Sequence, residues 1–195
     1  NADFLTTAVS RPAIQFSYCI SSLLIGFVFT LSAFICCQLF LVASGGSFFS
    51  WAENMQIIGL IGISVLLSSV LNLFIVLFVK TQSAFATVNT IIGTMIGFLC
   101  GVYVPIGVLP GFVQKIIHLF PVSHGTMLFR NIMMGDSIEK VFPSEEAARE
   151  YMIMFGVQYE VGGVLIKPWM SILFMIGAIL IAGAAAVIIF ARKNK

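Results

Sequence analysis

The sequence has few charged side chains, and this shortage excludes most soluble folds. Only 9% of its residues are Asp, Glu, Lys or Arg, whereas hydrophobic residues make up 59%. Ordinary soluble domains carry roughly 25% charged residues. A chain this poor in polar groups cannot cover a water-exposed surface, so we expect lipid to face most of it.

Motifs of catalysis and cofactor binding are also missing. No G-x-x-x-x-G-K-[ST] segment occurs, so the chain has no such loop for binding ATP by itself. Cys19, Cys36, Cys37 and Cys100 form neither a C-x-x-C pair nor a cluster with histidine, and we expect small buried apolar side chains. We therefore predict no cofactor, no metal site, no catalytic residue and no nucleic-acid partner.

His118 and His124 are the two histidines of the chain. Their spacing of six residues does not place both on one face of a helix, and no zinc motif surrounds them. We interpret them as polar anchors at the membrane interface. An intramembrane enzyme stays an alternative, but it needs a catalytic pair that the sequence does not reveal.

Four long uncharged stretches predict membrane-spanning helices. A helix needs about 20 apolar residues to cross a hydrocarbon core of roughly 30 Å, and each stretch is at least that long. The uncharged runs are Ile14–Ala43, Asn54–Val79, Thr81–Gln114 and Pro168–Ala191. The predicted spans are about 14–43, 54–79, 84–103 and 168–191.

The charges outside the spans predict an orientation. Four spans place both ends of the chain on one side, which carries five basic residues and one acidic residue. The other side carries five basic and seven acidic residues. By the positive-inside rule we expect both termini in the cytoplasm, mainly because of Arg11, Lys80 and the basic tail 192–195.

The third uncharged run is interrupted by two prolines. Pro105 and Pro110 each remove a backbone donor, so one straight helix does not continue through them. The stretches Ile106–Phe120 and Met127–Met134 stay apolar. We predict two short helices, each too short to span, that dip into the outer leaflet and return as a re-entrant hairpin. A loop lying on the bilayer surface is the alternative.

Residues Asp136–Lys167 form the clearly water-exposed segment. Ser144 is placed to cap a helix that begins with two acidic residues. An apolar stripe then follows at helical spacing, and in so small a segment it must rest on the membrane part. The stripe consists of Ala148, Tyr151, Met152 and Phe155.

Small and neutral polar residues within the spans suggest helix contacts. Gly93, Gly97 and Gly101 form a doubled G-x-x-x-G pattern, which lets another helix approach closely. Asn72 and Asn89 are uncharged polar residues at membrane depth. We expect them to form helix-to-helix hydrogen bonds, and a polar lining of a translocation path is the alternative.

The order of these features resembles the membrane subunit of type-2 ATP-binding-cassette (ABC) exporters. Residues 5–11 read Leu-Thr-x-x-Val-Ser-Arg and are followed by three spans. Residues 105–110 then read Pro-x-x-x-Leu-Pro, ahead of the hairpin, the external segment and a last span. The resemblance covers essentially the whole chain. Because the family has six spans, it implies that two spans precede residue 1.

The resemblance also implies roles for particular residues. In such exporters the cytoplasmic segment before the third span contacts the ATPase subunit and transmits its closure. Here that segment corresponds to Asp3, Phe4, Leu5, Val9, Ser10 and Arg11. The re-entrant hairpin caps the outer end of the path, which implicates Pro105, Leu109, Pro110, Pro121 and Arg130.

We therefore expect an all-α integral membrane protein with four transmembrane helices, an extracellular re-entrant hairpin and a small external helical segment. The resemblance implies an ATP-driven exporter subunit in the cell membrane that moves a hydrophobic or amphiphilic substrate, such as a drug, lipid or peptide-like molecule. It implies an ABC ATPase, separate or fused, and a second permease copy or a related subunit as partners. The main alternative is a membrane scaffold or assembly factor that transports nothing.

Overall fold

The computed structural model describes the backbone of residues 11–79 and 81–193, and the side chains of residues 17–79 and 81–189. Helices make up most of this part of the chain. They are α1 (Arg11–Ala43), α2 (Trp51–Val76), α3 (Gln82–Leu99), α4 (Gly111–Leu119), α5 (Pro121–Val141), α6 (Glu145–Met154) and α7 (Pro168–Lys193). A short 3-10 turn, Ile106–Val108, precedes α4, and two strands, β1 (Glu160–Val161) and β2 (Val164–Leu165), precede α7.

Four of the described helices are long and apolar enough to cross a membrane, namely α1, α2, α3 and α7. This result confirms the predicted all-α membrane protein with four spans. The third helix ends at Leu99, four residues before its predicted end. Gly101 causes the early end, because it adopts a φ of +63°, a left-handed conformation typical of the residue that follows a helix.

Side-chain caps define where several helices begin. The Ser50 hydroxyl accepts a hydrogen bond from the Glu53 backbone N–H, and the Glu53 carboxylate accepts one from the Ser50 N–H, which forms a capping box. Thr81 caps α3. Ser144 caps α6 as predicted, at 3.2 Å from the Ala147 backbone nitrogen.

The core lies where α2, α5 and α7 pack against one another. Leu60 and Leu67 of α2 are buried there together with Met127 of α5 and Met175 of α7. Tyr159 from the external segment belongs to the same cluster. Within the spans these side chains exchange contacts with lipid for contacts with protein, so close packing fixes the hairpin helices against the spans.

Helix α1 lies at the edge of this core and packs mainly against α2. Most of its surface therefore has no neighbour within the described chain. Cys36 and Cys37 lie on that surface and are exposed, so the expectation that all four cysteines are buried is wrong for these two. Cys100 is buried as expected.

The two predicted hairpin helices are present as α4 and α5, but α5 is longer than its apolar stretch. It has 21 residues and a length of about 32 Å, so the expectation that both helices are too short to span is wrong for α5. The apolar stretch Met127–Met134 marks only the middle of this helix, and buried residues occur from Ser123 to Ile138. The helix continues through exposed polar residues such as Asp136 and Glu139, which satisfy their backbone groups within the helix.

The external segment contains α6 and a small β-hairpin that we did not predict. Ala148 and Met152 of α6 are buried against Ile138 of α5, so the predicted stripe does rest on the rest of the molecule. Gly162 and Gly163, both with positive φ, form the two-residue turn between β1 and β2. A Gly-Gly pair between apolar residues is a known hairpin signal, and the sequence reading overlooked it.

Candidate functional site

The segment after α3 reverses the chain at the predicted outer gate. Pro105 precedes the 3-10 turn and Pro110 precedes α4, so neither proline removes a hydrogen bond from a helix interior. The Gln114 side-chain amide donates to the Leu109 carbonyl oxygen at 2.9 Å and holds the turn against α4. Pro121 is the first residue of α5, where its fixed φ suits a helix start.

Arg130 joins two helix ends to the middle of α5. One guanidinium nitrogen, Nη2, donates to the Gly101 carbonyl oxygen at 2.8 Å. The other, Nη1, donates to the Phe155 carbonyl oxygen at 2.9 Å. Gly101 follows α3 and Phe155 caps α6, so the side chain connects three helices that are distant in the sequence.

Both of these helix ends have the same geometry. After α3, the Val102 N–H donates to the Gly97 carbonyl oxygen at 2.9 Å. After α6, the Val157 N–H donates to the Met152 carbonyl oxygen at 2.8 Å. Each end is a Schellman turn with a glycine in the left-handed conformation.

This geometry explains how a single cation is accommodated at Arg130. Helix C-termini carry a partial negative charge, so two of them facing one guanidinium favour the cation. Among the described residues, the one ion pair is between Arg149 and Glu160, and Arg130 takes part in none. The predicted gate residue Arg130 is thus a junction between helix ends, and a role in gating stays a prediction.

A second group of polar contacts surrounds His124. Its Nδ1 lies 2.9 Å from the Ser171 hydroxyl of α7, and its Nε2 lies 2.8 Å from the His118 carbonyl oxygen of α4. The Tyr159 hydroxyl donates to the Ser123 carbonyl oxygen at 3.1 Å. We call Ser123, His124, Tyr159 and Ser171 the His124 cluster. All four residues are buried, with exposures of 0 to 3%.

The hydrogen bonds determine which nitrogen of His124 carries the proton. A carbonyl oxygen only accepts, so Nε2 bears the hydrogen that it donates to His118. In the neutral ring, Nδ1 is then the acceptor, and the Ser171 hydroxyl donates to it. Burial favours this neutral form and lowers the pKa of His124 below its ordinary value of 6.5. The pKa of His118 is lowered too, by burial first and then by the proximity of His124.

The burial of His124 does not fit its interpretation as an interfacial anchor, whereas His118 is half-buried and that interpretation stays a prediction for it. A spacing of six residues puts two side chains on different faces when both lie in one helix. His118 and His124, however, belong to two helices, α4 and α5, and the chain turns between them at Phe120. The ring of Tyr159 contacts both imidazoles, with ring centroids 4.7 Å from His118 and 5.5 Å from His124. No pattern in the sequence connected Tyr159 or Ser171 with His124.

Ser171 and His124 are a serine–histidine pair, which the enzyme alternative required. The hydroxyl, however, contacts Nδ1, while Nε2 is engaged by a backbone carbonyl. Ser171 is 0% exposed and His124 is 3% exposed, so no substrate reaches them in this conformation. The geometry therefore favours a structural role for the pair.

The glycines of α3 do not form one continuous face for another helix within the described chain. Gly97 is covered by the ring of Tyr103, which folds back over the helix end. Gly101 lies beyond the helix, next to Ile106 and Arg130. Gly93 faces open space, so a packing face for a helix of another subunit stays a prediction for that residue.

The neutral polar residues of the spans lie mostly on the surface. Asn72 is exposed and Asn89 is half-buried, and neither makes the expected helix-to-helix hydrogen bond within the described chain. Such a bond does join α1 to α2, where the Gln38 amide donates to the Asn54 side-chain oxygen at 2.7 Å. A path-lining role for Asn72 and Asn89 stays a prediction.

The predicted coupling segment lies outside the described residues, with one exception. Asp3, Phe4, Leu5, Val9 and Ser10 precede the described range. Arg11 is the first residue of α1, and its side chain is likewise outside the described part. The assignment of this segment to an ATPase contact therefore remains an expectation from the resemblance.

A small cleft opens between α5, α6 and the start of α7. Its volume is about 220 Å³, and its polar lining includes Asn131, Asp136, Glu139 and Gln158. Pockets for whole small molecules usually enclose about 300–1,000 Å³. The cleft is therefore too small to define a ligand.

These observations together define a multi-pass membrane protein whose last span is linked to a helical hairpin through buried polar contacts. The family model of the ABC-2 type transporter matches residues 2–134, more than half of the chain. The chain belongs to this family. It is accordingly a membrane permease of the ABC-2 type, and its family implies an ABC ATPase as partner. Neither the curated proteins nor the solved structures contain a significant match to the chain.

Proposed function

We propose that this chain is the transmembrane part of an ATP-driven exporter that moves a hydrophobic or amphiphilic substrate out of the cytoplasm. The match of residues 2–134 to the ABC-2 type transporter family carries this proposal. The chain performs no covalent chemistry of its own, and a separate or fused ATPase supplies the energy. ATP binding to that partner shifts the permease between inward-open and outward-open packings.

The character of the spans supports the proposed substrate class. Apart from Glu53 in the first turn of α2, the four candidate spans contain no Asp, Glu, Lys or Arg. Proton- and ion-coupled carriers usually keep an ionisable residue at membrane depth. Uncharged walls rich in Phe and Met suit a hydrophobic or amphiphilic molecule better than a bare ion.

The exposed surface of α3 supports assembly with a second permease copy or a related subunit. Ile91, Met95 and Phe98 of α3 are each at least half exposed within this chain. Among the described helices, α3 makes few contacts, and its largest set is with α5.

The proposed coupling segment gives the decisive test. The full-length protein is purified in a mild detergent, and the co-purifying proteins are identified by mass spectrometry. We expect a stoichiometric ABC ATPase that is lost when Phe4 and Leu5 are both replaced by Asp, because two charges cannot enter an apolar groove of the partner. Retention of the ATPase by this variant contradicts the coupling assignment.

A matched control places the same change elsewhere. Val161 and Val164 lie on the external hairpin and are 48% and 64% exposed. Their replacement by Asp also adds two negative charges at apolar residues, and we expect the ATPase to be retained. If the full-length protein neither carries an ATPase domain nor retains an ATPase, the exporter proposal fails and the scaffold alternative takes its place.

A further inference from the structure

The His124 cluster connects three parts of the chain that the sequence separates. His124 lies in the first turn of α5, and its two ring nitrogens reach α7 through Ser171 and α4 through the His118 carbonyl. Tyr159 belongs to the external segment, and its hydrogen bond to the Ser123 carbonyl connects that segment to α5. The hairpin, the external segment and the last span are thus joined at one buried point.

The neutral ring of His124 matches these partners, and protonation reverses one of the two hydrogen bonds and buries a charge. In the neutral form, Nε2–H donates to His118 and Nδ1 accepts from Ser171. Protonation places a hydrogen on Nδ1, which then donates to the Ser171 oxygen, so the hydrogen of the Ser171 hydroxyl has to turn toward another acceptor. The added charge also sits at a residue that is 3% exposed.

The groups that face His124 offer this charge no anionic partner. His118 faces it from α4 and Tyr159 from the external segment, and neither is negative near neutral pH. From α7 the facing groups are Ser171 and Phe174, which do not titrate in this range. On the side of α2, Ser64 lies next to the neighbouring Gly125 and is uncharged. An imidazolium in this place is therefore desolvated without an anionic partner, and the neutral oxygens of His118 and Ser171 offset only part of that cost.

We propose that the His124 cluster is a proton-sensitive latch: with His124 neutral it holds the hairpin and the external segment on α7, and proton uptake by His124 releases them. The latch differs from the proposed exporter function, because it depends neither on the substrate nor on the direction of transport. It acts through the contact between α4, α5 and α7, which the described structure shows closed.

The lowered pKa of His124 gives the direction of the effect. A group whose pKa is lower in the folded than in the unfolded state stabilises the folded form above its unfolded pKa of 6.5. This stability begins to be lost when the pH falls below 6.5. The loss continues until the pH has passed the lowered pKa that His124 has in the closed state. The latch is therefore closed at neutral pH and opens in acid.

Hydrogen exchange of the full-length protein in lipid nanodiscs tests the latch. Exchange is measured by mass spectrometry near pH 7.5 and near pH 5.5, with labelling times scaled for the intrinsic pH dependence of exchange. The peptide 119–128 reports on the hairpin, and a peptide of α2 serves as reference. We expect protection of peptide 119–128 to fall relative to the reference, by up to about tenfold for each pH unit below 6.5.

Two variants separate His124 from its neighbour. In His124→Gln, which stays neutral, we expect the acid-induced loss of protection to disappear. In the matched control His118→Gln, the backbone carbonyl that binds His124 remains, and we expect the loss to persist. A pH response that survives in His124→Gln, or that disappears in His118→Gln while His124 is intact, overturns the proposal.

The test does not depend on whether His124→Gln folds. If the wild-type peptide 119–128 shows no extra exchange in acid, the latch is refuted without any variant. Ser171→Ala removes the hydroxyl that donates to Nδ1, and we expect faster exchange of the same peptide already near pH 7.5. Unchanged exchange in Ser171→Ala also contradicts the proposal.

Discussion

Arg130 and Gly101 lie 29 positions apart in the sequence and are joined by a hydrogen bond of 2.8 Å from the guanidinium to the carbonyl oxygen. The same side chain donates to the Phe155 carbonyl oxygen at 2.9 Å. Two helix ends are thereby held on α5 by one cation, and the left-handed glycines at both ends allow the close approach. The junction lies beside the predicted outer gate, so its stability matters for the hairpin.

The first prediction concerns the loss of this junction. Arg130→Met removes both hydrogen bonds and leaves two carbonyl oxygens unsatisfied, and we expect it to lower the free energy of unfolding by about 1.5–3 kcal/mol. Arg130→Lys keeps the charge but not the planar fork, so we expect an intermediate loss. Tryptophan fluorescence during chemical denaturation in detergent measures both changes.

The matched control for this experiment is Arg149→Met. Arg149 pairs with Glu160 at 2.9 Å, but its side chain is 51% exposed. Exposed ion pairs contribute about 0–1 kcal/mol, so we expect little change. An equal effect of the two methionine variants contradicts the special role of Arg130.

The second prediction compares two glycines of α3. Glycine to alanine in a helix interior stabilises by about 1 kcal/mol, and Gly93→Ala, which faces open space, should show that gain. At Gly97 the new methyl group displaces the Tyr103 ring, which packs edge-on against Phe98 at a centroid distance of 5.1 Å. Loss of that contact costs about 0.5–1.5 kcal/mol, so we expect no net gain.

A double-mutant cycle checks this explanation. When Tyr103 is already replaced by Ala, the ring is absent, and Gly97→Ala should show the same stabilisation as Gly93→Ala. If Gly97→Ala is equally stabilising with and without Tyr103, the ring does not restrict the residue. If Gly93→Ala lowers the dimer fraction although it stabilises the monomer, the predicted packing face for another subunit gains support.

The third prediction concerns the ionisation of Tyr159. Burial raises its pKa to about 12, because the phenolate is less well solvated than the neutral hydroxyl. The raised pKa means that Tyr159 contributes stability that is complete below its ordinary pKa of 10 and is lost as the pH rises toward 12. The difference in ultraviolet absorbance between wild type and Tyr159→Phe should therefore show no tyrosinate signal from this residue until the pH is well above 10.

The same variant has a consequence at neutral pH. Tyr159→Phe removes the hydrogen bond that the Tyr159 hydroxyl donates to the Ser123 carbonyl, and we expect a loss of about 0.5–1.5 kcal/mol. Tyr103→Phe is the control, since the Tyr103 side chain is 63% exposed and we expect almost no change. A normal tyrosinate titration of Tyr159 indicates that the residue is not buried in the membrane-embedded protein.

The fourth prediction concerns the orientation in the membrane. In a variant without the four native cysteines, Lys80→Cys should be protected from a membrane-impermeant thiol reagent in intact cells, because we expect position 80 in the cytoplasm. Glu146→Cys should react, since the external segment faces outward in that orientation. Permeabilised cells should label both. The opposite pattern in intact cells contradicts the orientation, and with it the assignment of the coupling segment.

The spans and the hairpin break were predictable because each depends on local chemistry. A long uncharged run has one low-energy solution in lipid, a helix, and Pro105 and Pro110 interrupt such a helix wherever they occur. Helix length was less predictable in α5, where the apolar residues end before the hydrogen-bonded backbone does. The ends of α3 and α6 required recognition of Gly101 and Gly156 as residues that follow helices.

The contacts at the candidate site were not predictable in the same way. His124 and Ser171 are 47 positions apart, and Tyr159 is 36 positions from Ser123. Nothing in the local pattern of either residue specifies its partner. Their meeting depends on how α5 packs against α7, and that packing results from many side chains acting together.

By itself, the amino-acid sequence determined the membrane environment, the number of candidate spans, the break after the third span and the family resemblance. These follow from residue composition and from proline and glycine positions, which act over a few residues. Only the tertiary structure decided that Arg130 binds two helix ends and that His124 is buried between three elements. The physical reason is that a buried polar group forms its hydrogen bond with the element that packs against it. Which element that is depends on the tertiary arrangement and not on the neighbouring residues in the sequence.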